Sequence, residues 1–218
     1  MNEPLSIDIY SDVVCPWCYV GKRRLERALA QLPSLPTRIT WRPFQLNPTM
    51  PVEGTDRSSY LEAKFGSLDA FRRIEEQVVA AGVSEGIAFA FDKIGKTPNT
   101  FLAHRLIWYG GQRGRQNAVV DALFQGYFEQ GDDIGSPSVL AALAESAGVD
   151  AAGFLATDEG VGEVKAEEAV GHRLGIRAVP YFVVSNRFGI SGAQPVEAFR
   201  SAVEKIHSRP AEEPLTRK

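Results

Sequence analysis

Apolar and polar residues alternate from Leu5 to Tyr10, with Leu5, Ile7 and Ile9 set against Ser6, Asp8 and Tyr10. A period of two predicts a strand. From Val20 the period lengthens to that of a helix: Leu25, Ala28, Leu29 and Leu32 recur about once per turn among Lys22, Arg23, Arg24, Glu26 and Arg27. Leu32-Pro33-Ser34-Leu35-Pro36 reads as a turn. Alternation returns from Arg38 to Phe44 among β-forming residues, predicting a second strand that ends near Pro43. Strand, helix and strand in series make a βαβ unit, which implies two parallel strands.

Asn47-Pro48-Thr49-Met50-Pro51 breaks that pattern. From about Ser58 to Gly175 the spacing is mainly helical. Tyr60, Leu61 and Phe65 begin it, and Phe71, Ile74, Val78 and Val79 continue it. Ala88-Phe89-Ala90-Phe91 is an apolar run that fits either extended chain or coil. A helix from Thr100 to Tyr109 is expected to stop at Gly110-Gly111, and one through Val119, Leu123 and Phe128 at Gly131. Ser136-Pro137 has the form of an N-cap followed by a first-position proline, and a helix is expected from Thr157-Asp158-Glu159 to Leu174-Gly175. Trp108, Tyr109, Phe124 and Phe128 read as core. These helical faces need one another for burial, which predicts a helical unit inserted after the second strand. Strand text resumes at Tyr181-Phe182-Val183-Val184, turns at Asn186, and returns through Phe188-Gly189-Ile190-Ser191 as a hairpin. Val196, Phe199, Val203 and Ile206 then share one face of a last helix. Ser208 to Lys218 is expected to be disordered or loosely docked.

The chemistry is concentrated where the first strand hands over to the first helix. Cys15-Pro16-Trp17-Cys18 stands there, and these are both of the cysteines in the 218 residues. Thiolate, not thiol, attacks a disulfide, and a free thiol with a pKa of about 8.5 is mostly protonated near neutrality. The first turn of a helix presents unpaired N–H groups and the positive end of the macrodipole, so it favours an anion. Cys15 is the residue so placed; Cys18, one turn on, is within bridging reach and expected to be less accessible. Pro16 suits the first helical position. The competing readings fit less well. A structural zinc site takes about four ligands, yet there is no second CxxC, and His104, His172 and His207 are scattered. A structural disulfide would close a very small loop and gain little. Haem attachment requires histidine after the second cysteine, and Tyr19 is there.

Composition narrows the field further. The chain is 44% hydrophobic and 23% charged with a net charge of −3, as expected of a soluble globule and without the basic excess that nucleic acid or an anionic membrane would require. Met1-Asn2-Glu3-Pro4 lacks a basic region and an apolar region before the first strand, and no stretch approaches a membrane span. A cytoplasmic protein is expected, with no nucleic-acid and no membrane partner and no bound metal.

The order β-α-β, insertion, Val-Pro-strand, hairpin and helix resembles the thioredoxin superfamily. More closely it is similar to the DsbA-like family in its FrnE-type branch, almost over the whole length. The matching residues are Ser11-Asp12 ahead of CPWC, Trp41-Arg42-Pro43-Phe44-Gln45-Leu46-Asn47-Pro48, Asn99-Thr100 with Ala103-His104-Arg105-Leu106, Val179-Pro180, and Gly192-Ala193-Gln194-Pro195. The resemblance implies an α/β protein: a thioredoxin fold with a helical insertion between the second and third strands. The expected division is 1–50 for the first β-α-β part, 51–160 for the insertion, 161–208 for the α-β-β-α part, and 209–218 as the tail.

It further implies a thiol–disulfide oxidoreductase in which Cys15 attacks and Cys18 resolves, acting on disulfide-containing proteins or small thiols. No cofactor is needed beyond the redox-active disulfide, with glutathione as a candidate co-substrate. Pro180 would be the cis-proline facing the disulfide and Val179 the residue whose backbone pairs with a bound peptide; from the residues alone, a trans proline opening an edge strand fits as well. Pro16, Trp17 and Asp12 support the site, Asp12 either as a proton relay to Cys18 or as a turn residue. Family placement puts Asn99 and His104 toward the cleft as substrate or glutathione contacts. One departure matters: periplasmic DsbA-type oxidases carry histidine between the cysteines where this chain has Trp17, which favours a reductase, isomerase or redox-maintenance role. The rival readings are a glutathione-dependent isomerase or transferase of the hydroxychromene-carboxylate isomerase or kappa-class type, which typically has serine where Cys15 stands, and a non-catalytic interaction module.

Overall fold

The computed structural model describes residues 3–208; the predicted disordered tail falls, after Ser208, outside them. Strand β1 (Leu5–Ser11) is an inner strand of a four-stranded sheet with the order β2-β1-β5-β6. Its alternation buries Leu5, Ile7 and Ile9 on one face. Strand β2 (Thr37–Pro43) is parallel to it, with Leu5 opposite Thr37 and Ser11 opposite Pro43. A parallel pair needs a crossover, and α1 (Pro16–Ala30) supplies it. On the other side β5 (Tyr181–Val184) pairs antiparallel to β1, and β6 (Phe188–Ser191) antiparallel to β5. Ser185 and Asn186 take φ values of 52° and 54° in the connecting turn, which Arg187 N–H closes on the Val184 carbonyl at 3.1 Å. Two left-handed residues give a turn whose twist matches that of the strands.

Helix α1 packs against the last helix, α9 (Val196–His207), over the β5 side of the sheet. Phe182 of β5 meets Phe199 of α9 edge-on, with ring centroids 4.7 Å apart. The face of β1 that carries Asp8 and Tyr10 is covered rather than solvated. Arg42 of β2 bridges Asp8 at 3.0 Å and Glu167 of α8 (Val161–Arg173) at 2.9 Å. Tyr10 is buried there with Phe44 and Ile176.

Between β2 and β5 come α2 (Arg57–Phe65), α3 (Leu68–Ser84), α4 (Phe101–Gln112), α5 (Gln116–Gln125), α6 (Pro137–Ser146), α7 (Ala152–Leu155) and α8. The fold is therefore α/β, a thioredoxin fold with a helical insertion between the second and third strands of its sheet. Sheet and insertion share one apolar core, running from Ile7 and Val20 through Leu106, Phe124 and Leu140 to Phe182 and Phe199. Tyr19 of α1 joins them: its ring stacks on Phe124 at 5.0 Å and meets Phe89 edge-on at 6.0 Å. The fully buried Lys22, on the same helix, is held by Glu26 and by Asp121 of α5.

Several element boundaries differ from the sequence pattern. The helical stretch after Ser58 breaks at Gly66 (φ 85°), and Ser67 caps a new helix by accepting the Ala70 N–H. Helix α4 does not stop at Gly110-Gly111 but runs on to Gln112. Gly110 there permits close helix approach, since a Cβ would lie 2.7 Å from Val119 of α5. Helix α8 starts at Val161, not at Thr157, because Gly160 takes φ 79° as its N-cap. Ala88–Ala90 is coil leading into one 3-10 turn, Phe91–Lys93. Ser136 is the N-cap of α6, but its hydroxyl faces Ser138 rather than a backbone N–H. Trp108 is only half-buried, packed against the core that encloses Tyr109, Phe124 and Phe128. A short ribbon, β3 (Thr55–Asp56) with β4 (Lys96–Thr97), had no period long enough to be read.

The shared core has a measurable consequence. Phe124→Ala deletes a ring that touches Tyr19, Trp41 and Phe128, and is expected to cost about 3–5 kcal/mol. Urea denaturation followed by far-ultraviolet dichroism should show one earlier transition, with sheet and insertion unfolding together.

Candidate active site

The end of β1 and the start of α1 build the site. Cys15 is the N-cap of α1 and Pro16 its first helical residue. The Cys15 N–H donates to the Asp12 carbonyl at 3.0 Å, closing a turn that sets the helix entry, and the Cys18 N–H donates to the Cys15 carbonyl at 3.0 Å. No acidic residue stands in the first turn, so the positive end of the helix faces the Cys15 sulfur unopposed. Both cysteines are free thiols. Cys15 is 6% exposed and Cys18 only 1%.

The start of β5 comes in against Cys15. The Val179–Pro180 bond is cis, and the Cys15 thiol donates to the Val179 carbonyl at 3.6 Å. Pro180 is seated on α1 at Gly21, where a Cβ would lie 3.0 Å from the proline ring. Its carbonyl accepts the Gly192 N–H at 2.9 Å, which fixes it from the far side of the hairpin.

The two thiols differ electrostatically. Burial, and after it the neighbouring Cys15, pushes the Cys18 thiol well above the usual range; the Ser11 hydroxyl and the Asp12 backbone oppose this only partly. Cys18 therefore holds its proton at neutrality, leaving Cys15 as the sulfur in reach of a partner.

Asp12, fully buried, accepts the Leu46 N–H at 2.7 Å through Oδ2 and has His104 Nε2 3.3 Å from Oδ1. Asn99 is committed to the backbone: its side-chain amide donates to the Met50 carbonyl at 2.6 Å and accepts the Phe101 N–H at 2.9 Å. A cavity of about 330 Å³ opens beside Cys15, walled on one side by Pro16 and Trp17 and on the other by Leu61, Phe71, Ile74 and Val78 of α2 and α3. Asn99 and His104, expected toward the cleft, are not among the residues that line it. Sequence reasoning missed the α2–α3 wall, because apolar residues at helical spacing read equally well as core. Arg57, which also lines the cavity, lies over the Phe71 and Phe91 rings. Among the described residues no cluster of three histidine, cysteine, aspartate or glutamate side chains is arranged to hold a metal.

Comparison with known proteins agrees with this geometry. The chain matches the DSBA-like thioredoxin domain over residues 6–204, and it belongs to that family. A probable DsbA oxidoreductase from Streptomyces coelicolor superposes with a TM-score of 0.88 at 33% identity, covering 97% of this chain and 94% of that one. A 2-hydroxychromene-2-carboxylate isomerase has a TM-score of 0.70 at 15% identity over 93% and 96% of the two chains. The cytosolic disulfide reductase DsbM of Pseudomonas aeruginosa, solved with GSH, has a TM-score of 0.63 at 15% identity over 93% and 98%. The last two, at such low identity, share the fold.

Two outcomes follow from the thiol and phenol environments. At neutral pH iodoacetamide should modify Cys15 in the reduced protein and leave Cys18 untouched. Peptide mapping checks this, and labelling of Cys18 first would contradict the burial argument. Stability should also fall on the alkaline side. Burial pushes Tyr19 and Tyr127 up to about 12 and raises Tyr10 and Cys18 as well. The folded state then keeps protons that the unfolded chain releases, so this contribution is intact below the ordinary thiol and phenol ranges and is lost as pH rises toward 12. The urea midpoint should drop steadily above about pH 9, whereas a flat profile to pH 11 would show that these groups are solvated.

Proposed function

We propose that the protein is a thiol–disulfide oxidoreductase working in the reducing direction or as an isomerase, in the cytoplasm. The observation that carries this is the unequal burial of two free thiols at a helix start, with the Val179 carbonyl 3.6 Å from the more exposed sulfur. The Cys15 thiolate attacks a substrate disulfide R–S–S–R′, forms Cys15–S–S–R and expels R′ as thiolate. Cys18 then attacks Cys15, closing the Cys15–Cys18 disulfide and releasing R as thiolate. Two protein thiols are oxidised, one substrate disulfide is reduced, and the expelled thiolates take protons from water. A cellular thiol such as glutathione, acting as co-substrate, would return the cysteines to thiols.

Trp17 supports the reducing direction. An indole N–H carries no charge, so it gives the thiolate none of the stabilisation by which a cationic histidine between the cysteines favours the reduced, oxidant-competent form. The apolar cavity at Cys15 suits a substrate whose disulfide is flanked by apolar groups, in a protein or a small molecule. The likeness to DsbM, a cytosolic disulfide reductase, supports the same reading. The isomerase among the fold neighbours supports a second reading, glutathione-dependent isomerisation, and Cys15 itself weighs against it.

The test separates these readings. Cys18→Ser should keep the attack and lose resolution, so mixed disulfides accumulate on non-reducing electrophoresis. Cys15→Ser should form none and lose insulin reduction. Isomerisation of a chromene substrate that survives Cys15→Ser, with no adduct trapped by Cys18→Ser, would overturn the proposal. Absence of both activities in the wild-type protein would point to an interaction module.

A further inference from the structure

The sheet face turned away from α1 and α9 carries a second opening. It lies where α8 meets the sheet, and it shares no lining residue with the cavity at Cys15. Asp8 and Tyr10 of β1, Arg42 of β2 and Glu167 of α8 are its polar residues of consequence. Its volume of about 360 Å³ falls within the range of small-molecule sites. The exchange steps above use none of these residues.

Those polar groups lack partners. Arg42 donates Nε to Asp8 Oδ1 at 3.0 Å and Nη1 to Glu167 Oε1 at 2.9 Å. The second oxygen of each carboxylate has no partner among the described residues. One guanidinium thus answers two carboxylates, and the group is left one charge negative. Burial raises the Glu167 carboxyl, and Arg42 offsets that only in part. Tyr10 is only 3% exposed, its ring held so closely on α8 that a Cβ at Gly171 would lie 2.7 Å from it. Its hydroxyl, within the field of Arg42, Asp8 and Glu167, hydrogen-bonds to no described residue. A buried tyrosine ordinarily finds a partner for that group.

We propose that this pocket binds a small primary amine, as its ammonium ion, with an apolar body. An ammonium head brings three donors and no acceptor. The pocket offers it three free acceptors, Asp8 Oδ2, Glu167 Oε2 and the Tyr10 oxygen. The positive head also answers the negative charge that Arg42 leaves uncompensated. A carboxylate or phosphate would meet two carboxylates and one guanidinium already engaged by both, and a neutral head would leave the charge unanswered. The rest of the ligand has Val183 of β5 and Val170 and Leu174 of α8 to lie on. Val170 and Leu174 are 38% and 60% exposed, apolar area that such a body takes out of water.

The probe is n-hexylammonium chloride, with 1-hexanol and hexanoate as its neutral and anionic counterparts. Titrated into the reduced protein at pH 7 and followed by two-dimensional amide NMR, hexylammonium should shift Val183, Asn186 and Leu174 saturably. The two counterparts should bind about 10-fold more weakly or worse, the scale of hydrogen bonds to a charged group. Tyr10→Phe, which removes only the hydroxyl, should raise Kd about 5-fold, and Glu167→Gln about 10-fold. Cys15→Ser should bind as the wild type does, and loss of binding there would move the ligand to the cysteine cavity and overturn the assignment. Hexanol or hexanoate binding as tightly as hexylammonium, no saturable shift, or a Kd unchanged in both pocket variants would overturn it too. So would tighter binding of Nα-acetyl-lysine methylamide than of hexylammonium, which would make the occupant a protein lysine. If Glu167→Gln does not fold, Tyr10→Phe decides the question.

Discussion

The site depends on how the first turn of α1 is gripped. A helix N-terminus attracts an anion wherever it occurs, but it makes a useful thiolate only if the second cysteine is denied the same chance. Here α1 is clamped from two directions. Gly21 accepts Pro180 on the sheet side, and Tyr19 stacks into the Phe124–Phe128 cluster on the insertion side. Cys18, between those contacts, has nowhere to meet water. The asymmetry between two chemically identical side chains is thus a packing effect, and the electrostatic difference follows from it.

The insertion is consequently more than a decoration on a redox domain. Its apolar residues complete the core that buries α1, its α2 and α3 form the outer wall of the cavity at Cys15, and its α4 brings an imidazole to Asp12. Each face of the site therefore draws on residues from both parts of the fold. The single apolar core makes mechanical sense of this, since two units free to move would not hold a 3.3 Å contact between a strand end and a helix of the insertion.

Two of the cavities near the cysteines differ in size and in what they reach. The larger, apolar one reaches the accessible sulfur, while the small one is lined by Ser11 and His104 and shares Arg42 and Glu167 with a pocket on the Asp8–Tyr10 face of the sheet.

The sequence by itself determined whatever has a short period or a local cause. Alternation in β1 and β2, the helical stripe of α1 and α9, the hairpin turn at Asn186 and the placement of Cys15 at a helix start are all decided within a few residues, and they were legible for that reason. Boundaries set by distant contact were not: Gly110 reads as a helix stop until Val119 is found against it, and Tyr10 reads as an outer residue until α8 covers it. The resemblance to a known family named Pro180, but it turned Asn99 and His104 toward a cleft they do not line. The tertiary structure alone could bring His104 to Asp12 and turn a helical apolar stripe on α2 and α3 into a cavity wall, because both depend on how remote segments pack together rather than on the residues that flank them.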